Sequence, residues 1–325
     1  MRKQTVFLYA LLFFAAWSVV GAACAQQWPA RAVRIIVPFP PGQAADIITR
    51  IVAERLSPAL GQQVIVDNRP GAGAAVGTEI GAKSAPDGYT FVAGGSAALA
   101  INPHLYQKLG YDTPRDFAPV TQLVAIAMVF VVNPSLAARD LSEFIRLARQ
   151  RPGELNYGSS GSGSTSHLVS AALAARAGIT LVHVPYKGAV QALTDLITGQ
   201  VMLVADTPPT VVPHIQAKKI RPIATSMLKR IPQLPDVPTV DEQGVRGYDL
   251  NTWTSIVAPI ATPPAILDRM NAEIMKIIAQ PEVNKRLIEM GFIPVGSSRE
   301  QFATFLAKEY ASWAKIVQAS GAKVD

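Results

Sequence analysis

Residues 157–168 read YGSSGSGSTSHL, a run of serines and glycines that leads into the helical pattern of Leu168, Val169, Ala172 and Leu173. Small residues at the start of a helix expose backbone N–H and hydroxyl donors where the helix end carries about half a positive charge, which holds an anion without any Lys or Arg. His167 falls in the first turn, where the dipole disfavours imidazolium. It reads either as a neutral donor to a ligand or as a structural histidine. A flexible linker shares this composition, but linkers seldom start at a strand and end in a patterned helix.

Four other segments place polar or flexible groups between regular elements. PFPPGQAAD, residues 38–46, sets prolines and Gly42 ahead of a helix, which suits close backbone approach to a ligand and equally suits a tight strand-to-helix turn. NRPGAGAAVG, residues 68–77, is similar to a dinucleotide fingerprint. Its spacing, however, is G-x-G-x-x-x-G, and no acid closes a strand about 20 positions on, because Asp87 sits in the turn PDG; a structural turn is preferred. Gly94, Gly95 and Ser96 offer bare backbone and one hydroxyl, for function or for packing. VPYKG, with Lys187, and ADTPP, with Asp206, each follow an apolar strand. Asp206 is placed to accept from a ligand amine, hydroxyl or protonated carboxyl, or to cap the next helix.

The groups that drive turnover are missing. Gly158, Ser160 and Ser162 lack the last glycine of G-x-S-x-G, as do Gly94, Ser96 and Ala98. No carboxylate pair, P-loop or catalytic cysteine is present. His104, His167, His183 and His214 never form HxxxH, and the single Cys24 excludes a disulfide scaffold and Cys-rich metal sites. Donors without an activated nucleophile indicate a binding protein, with no enzyme activity, no cofactor and no metal expected.

Such loops need a rigid frame. Short apolar runs at 34–38, 64–67, 90–93, 129–133, 181–184, 201–205, 220–225 and 255–258 read as strands. They alternate with helical spacing at 45–60, 140–150, 165–177 and 189–198, an α/β pattern of mostly parallel sheets with helices on their faces. Loops after the strand C-termini then meet at one edge, where ligands bind. Toward the C-terminus, Thr262 is expected to cap a helix that opens with Pro263 and Pro264. Ser298 and Gln301 form a capping box for a last helix bearing Phe302, Phe305, Leu306, Trp313 and Ile316. IPQLPDVP, residues 231–238, reads as a rigid connector. No internal repeat is visible.

The chain of 325 residues is 49% hydrophobic and 16% charged, which excludes disorder and indicates about two domains. Residues 1–25 open with Arg2 and Lys3, continue apolar to Val20 and end on Ala23, Cys24, Ala25, the pattern of a cleaved export signal. A permanent membrane helix and a lipoprotein anchored at Cys24 are the alternatives. Removal of Arg2 and Lys3 with no acid lost takes the formal charge from +7 to +5. That scattered surplus, densest at Lys218, Lys219 and Arg221, carries no aromatic-interleaved stripe, so no nucleic acid is expected.

Read in order, RIIVPFPPGQAAD, VDNRPGAG, APDGYT, RDFAPV, NYGSSGSGSTSHL, HVPYKG, LPDVPTVDEQG and EYASWAKIV give the chain a close resemblance to the exported solute-binding proteins of tripartite tricarboxylate transporters, the Bug family. The resemblance implies a two-lobed periplasmic-binding-protein (Venus flytrap) fold with a hinge. It divides the chain into a discontinuous first domain, residues 26–125 plus 248–325, and a second domain, residues 126–247. It implies a small carboxylate ligand (a di- or tricarboxylate, acidic amino acid or aromatic acid), a periplasmic monomer, and delivery to inner-membrane permease subunits; a metabolite sensor signalling to a two-component system is the alternative. The candidate ligand contacts are then Phe39, Gly42, Gln43, Asp46, Ser96, Ser160, Ser164, Thr165, His167, Lys187 and Asp206. Two positions depart from the family pattern: Gln43 stands where a second glycine is usual, and Met202 where an aspartate is common.

Overall fold

The computed structural model describes residues 28–320, so the export signal expected at the N-terminus lies outside the described residues. Val33–Val37 (β1) buries Val33, Ile35, Ile36 and Val37 completely, as a strand must when helices cover both faces of its sheet. Val64–Asn68 (β2) and Thr90–Gly95 (β3) flank it in parallel. Phe117–Ala127 (β4), Asn251–Pro259 (β10) and Ile293–Pro294 (β11) extend this first sheet in the order β11-β4-β10-β3-β1-β2, with antiparallel pairing on their side.

The second sheet runs β7-β6-β8-β5-β9. Asn156–Ser159 (β6) pairs in parallel with Val182–Pro185 (β7) and Leu203–Asp206 (β8). Val129–Val132 (β5) runs antiparallel to β8 and to Arg221–Thr225 (β9). Each sheet is thus parallel where strands alternate with helices and antiparallel where β4, β5, β9 and β10 carry the chain between sheets. Runs of apolar residues do not reveal that direction.

Helices cover both sheets. Ala44–Leu60 (α1) and Ala75–Ala82 (α2) belong to the first, and Leu141–Gln150 (α3), Thr165–Ala177 (α4), Ala189–Thr198 (α5) and Pro208–Gln216 (α6) to the second. Pro264–Ala279 (α7) and Pro281–Glu289 (α8) return to the first sheet. Arg299–Ser320 (α9) packs against β4 and also against α4 of the other sheet. One apolar cluster accordingly runs through both sheets, from Ile36 and Val92 to Phe130, Leu168 and Trp313. Glu309 on α9 accepts from the indoles of Trp253 (2.9 Å) and Trp313 (3.1 Å), tying β10 to this helix.

Two helix starts bear on the sequence reading. The reciprocal bonds of the capping box form, Gln301 N–H to Ser298 Oγ at 3.2 Å and Ser298 N–H to Gln301 Oε1 at 2.9 Å. Thr262 does not cap α7. Pro264 at the first helical position forces the residue before it out of the helical region, so Pro263 (ψ 133°) occupies the cap and the Thr262 hydroxyl is buried without a partner.

Candidate functional site

The helices on the cleft-facing ends of both sheets begin at a shared cavity of about 670 Å³. Phe39, Gln43, Ala44, residues 71–74 and Ser96 line it from the first sheet; Ser160, Ser164, Thr165, Ser166, Lys187 and Asp206 line it from the second. Ile126, Met128, Thr252 and Trp253, where the chain passes between sheets, form the floor. Among the residues on this wall, Lys187 is the one cation and Asp206 the one acid.

The loop before α4 is organised by its own hydroxyls. Ser164 is the N-cap: its Oγ accepts from His167 N–H at 3.3 Å, and its carbonyl accepts from Leu168 N–H at 3.1 Å. Its own N–H is spent on the Gly161 carbonyl at 3.1 Å. Ser166 Oγ sits 3.0 Å from both Ser160 Oγ and Ser164 Oγ. The amides of Thr165 and Ser166 have no partner among the described residues. They are the pair of donors that this helix end leaves for an anion. At α1, the amides of Ala44 and Ala45 are free in the same way, while Ile47 N–H returns to the Gln43 carbonyl at 3.0 Å.

Ser96 joins the two sides. Its fully buried Oγ stands 2.9 Å from Thr165 Oγ1 and 2.7 Å from Thr252 Oγ1. Asp206 ends β8, its Oδ1 accepting from the Thr207 N–H at 2.6 Å. Burial pushes its carboxyl up to about 6, against the pull of the Thr207 bonds.

Phe39, Gln43, Ser96, Ser160, Ser164, Thr165, Lys187 and Asp206, singled out from sequence, are brought together on the wall. Gly42, Asp46 and His167 are not. Gly42, with φ +81°, turns its N–H back to Asp46 Oδ2 at 2.9 Å. Burial alone would raise the Asp46 carboxyl, but bonds from Arg50, Gly42 and Asn68 outweigh it and hold the group below its ordinary value. This pair braces the loop from behind. His167 is not on this wall; its Nδ1 accepts from Gly163 N–H at 3.1 Å, so that nitrogen is an acceptor and not the expected ligand donor. Its ring stacks on His183 at 3.8 Å with 4° between planes, and His183 Nε2 meets Ser159 Oγ at 2.7 Å. Burial, aided for His167 by the neighbouring ring, lowers both imidazoles to about 4.

Thr252, Trp253, Thr207 and Thr210 also line the cavity and escaped the sequence reading. The ADTPPT run carried a usable signal for the last two. Thr252 carried none, since only the pairing of β10 beside β3 brings it to Ser96. Residues 71–74, read as a structural turn, supply wall backbone. Among the described residues no group of three or more His, Cys, Asp or Glu side chains is placed to hold a metal ion, and no helix is long and apolar enough to cross a membrane.

Comparison with known proteins agrees on one group. The model of the "Tripartite tricarboxylate transporter family receptor" matches residues 48–322. Protein BugT of Bordetella pertussis is 34% identical over 314 residues, which are 96% of this chain and 96% of BugT. The structure of R. palustris Rpa4515 with adipate superposes with a TM-score of 0.87 at 36% identity, covering 91% of this chain and all (100%) of that one. MatC from Rhodopseudomonas palustris with bound malate gives 0.83 at 29%, covering 89% of this chain and 100% of that one.

Proposed function

The chain belongs to the tripartite tricarboxylate transporter receptor family, of Bug type with the two-lobed periplasmic-binding-protein fold, and from that premise we propose that it is a periplasmic receptor that captures a small carboxylate between its lobes and hands it to inner-membrane permease subunits. The observation that carries the reading is the convergence of unpartnered helix-start amides, Thr165 and Ser166 from α4 and Ala44 and Ala45 from α1, on one cavity. Oriented dipoles of this kind attract an anion while leaving the site's own charge low, which keeps release easy. Adipate in one relative's structure and malate in another are ligands of the same chemistry.

In this account residues 26–125 and 248–325 form one lobe, residues 126–247 the other, and the crossings from β4 to β5 and from β9 to β10 are the hinge. Phe39, Gln43, Ser96, Ser160, Ser164, Thr165, Lys187 and Asp206 contact the ligand, with Gly42, Asp46 and His167 shaping the loops behind. The protein acts as a monomer after removal of its export signal, and the ligand leaves chemically unaltered. Isothermal titration of the mature protein against a panel of mono-, di- and tricarboxylates tests it. Saturable heat with at least one member is expected; no heat and no thermal shift with any of them would contradict it.

A further inference from the structure

At the outer end of the cleft, two side chains from opposite lobes have no partner among the described residues. Gln43 is the N-cap of α1, yet its amide caps nothing. Its Nε2 instead reaches the other lobe, 3.8 Å from the place a Cβ on Gly188 would occupy. Next to Gly188 stands Lys187, whose backbone N–H is fixed by Gln191 Oε1 at 3.2 Å while its ammonium forms no ion pair with any described residue.

Strand order turns these neighbours into a polarity. In the sequence β7-β6-β8, Lys187 follows β7, the α4 helix start follows β6 and Asp206 ends β8. On the cavity wall the Thr165 and Ser166 amides therefore lie between the loop that carries Lys187 on one side and Asp206 on the other, the strands beneath them being spaced by about 4.8 Å. A second carboxylate directed at Asp206 would meet a buried acid. Directed at Lys187, one strand over, it would meet a cation and the Gln43 amide, an arrangement that suits a short-chain dicarboxylate.

Resting on the carboxylate-receptor reading of the cleft, we propose that Gln43 and Lys187, one from each lobe, form a second anion subsite that selects short-chain dicarboxylates over monocarboxylates. Gln43 contributes N–H donors from the first lobe and Lys187 contributes charge from the second. The outer carboxylate is held by both only when the lobes are together, so recognition of the second acid group is coupled to closure.

The test is titration calorimetry of the mature protein with a dicarboxylate series of increasing length and the monoamide of each member, on the native chain, Gln43→Glu and Lys187→Met. The native chain is expected to favour each short dicarboxylate over its monoamide by about tenfold or more. Both substitutions, at sites that are not core, should lower dicarboxylate affinity by about tenfold while monoamide affinity stays within about twofold. Equal losses for both ligands, or an undiminished preference in both variants, would overturn the subsite. A native chain that binds monoamides as tightly as dicarboxylates would overturn it too and leave the receptor reading standing; failure to bind any carboxylate would remove that reading itself.

Discussion

The hydroxyl of Ser96, at the end of β3 of the first sheet, lies 2.9 Å from that of Thr165, the first residue of α4 beside the second sheet. With Thr252 at 2.7 Å, this oxygen links the loops of both sheets to the floor between them. Ser96→Ala leaves two hydroxyls short of a partner at a fully buried position. The expected cost is about 1–3 kcal/mol. Because the link joins lobes, ligand-loaded protein should lose more than ligand-free protein in thermal unfolding. An equal loss in both states would show that the bond serves only local packing.

Acid should loosen the loop before α4. His167 and His183 are neutral in the fold, lowered to about 4 from an ordinary 6.5, so the unfolded chain binds more protons across that window. Their contribution is whole above pH 6.5 and is lost as pH falls to about 4. Asp206, raised from 3.8 to about 6, works in the opposite direction between those values, one group against two. Melting temperature should therefore fall from pH 6.5 to pH 4, and His183→Gln should flatten the curve. A parallel curve in the variant would contradict the assignment.

The layers of the two sheets also meet beside the cavity wall, at Gly291 and Pro208. Gly291, at φ +89° between α8 and β11, packs so closely on Pro208 of the other lobe that an added Cβ would lie 2.4 Å from the Pro208 Cβ. Gln233 Nε2 donates to the Ile288 carbonyl beside it. Gly291→Val must push the lobes apart as well as strain its own backbone. Small-angle scattering should give a larger radius of gyration for the ligand-saturated variant than for the native complex, with affinity reduced several-fold. Superimposable curves would mean that the contact is incidental.

The helices were legible where local chemistry sets both ends. Residues 165–177 and 189–198 form α4 and α5 with those bounds, because Ser164 caps the first and glycines at positive φ, Gly178 and Gly199, end both. β4 was not legible. Its residues Thr121 and Gln122 are polar and buried, and their partner Ser297 lies 175 positions beyond Gln122 in the chain, with Thr121 Oγ1 to the Ser297 carbonyl at 2.7 Å and Gln122 N–H to Ser297 Oγ at 2.9 Å. The same limit governed the site. Gly42 and Asp46 stood among the candidate contacts through the family resemblance, and the bond that engages Asp46, from Asn68 at 2.9 Å, comes from another strand that local sequence does not reveal. The small-residue loop before α4 was readable as a donor set, whereas which of its amides stays free became clear only from the Ser164 N–H bond to Gly161.

The central claim is that main-chain amides at the start of α4 hold the anion, and Thr165→Pro addresses it directly. Ser164, at φ −65° and ψ 159°, already has the extended conformation that precedes proline, and the first helical position accepts proline without loss of a helical bond. The substitution deletes one N–H and the hydroxyl; Thr165→Ala deletes the hydroxyl alone. In calorimetric titration with the tightest carboxylate of the panel, Thr165→Pro should bind about tenfold or more weaker than Thr165→Ala, at similar ligand-free melting temperatures. Equal affinities of the two variants would place the anion elsewhere and contradict the account.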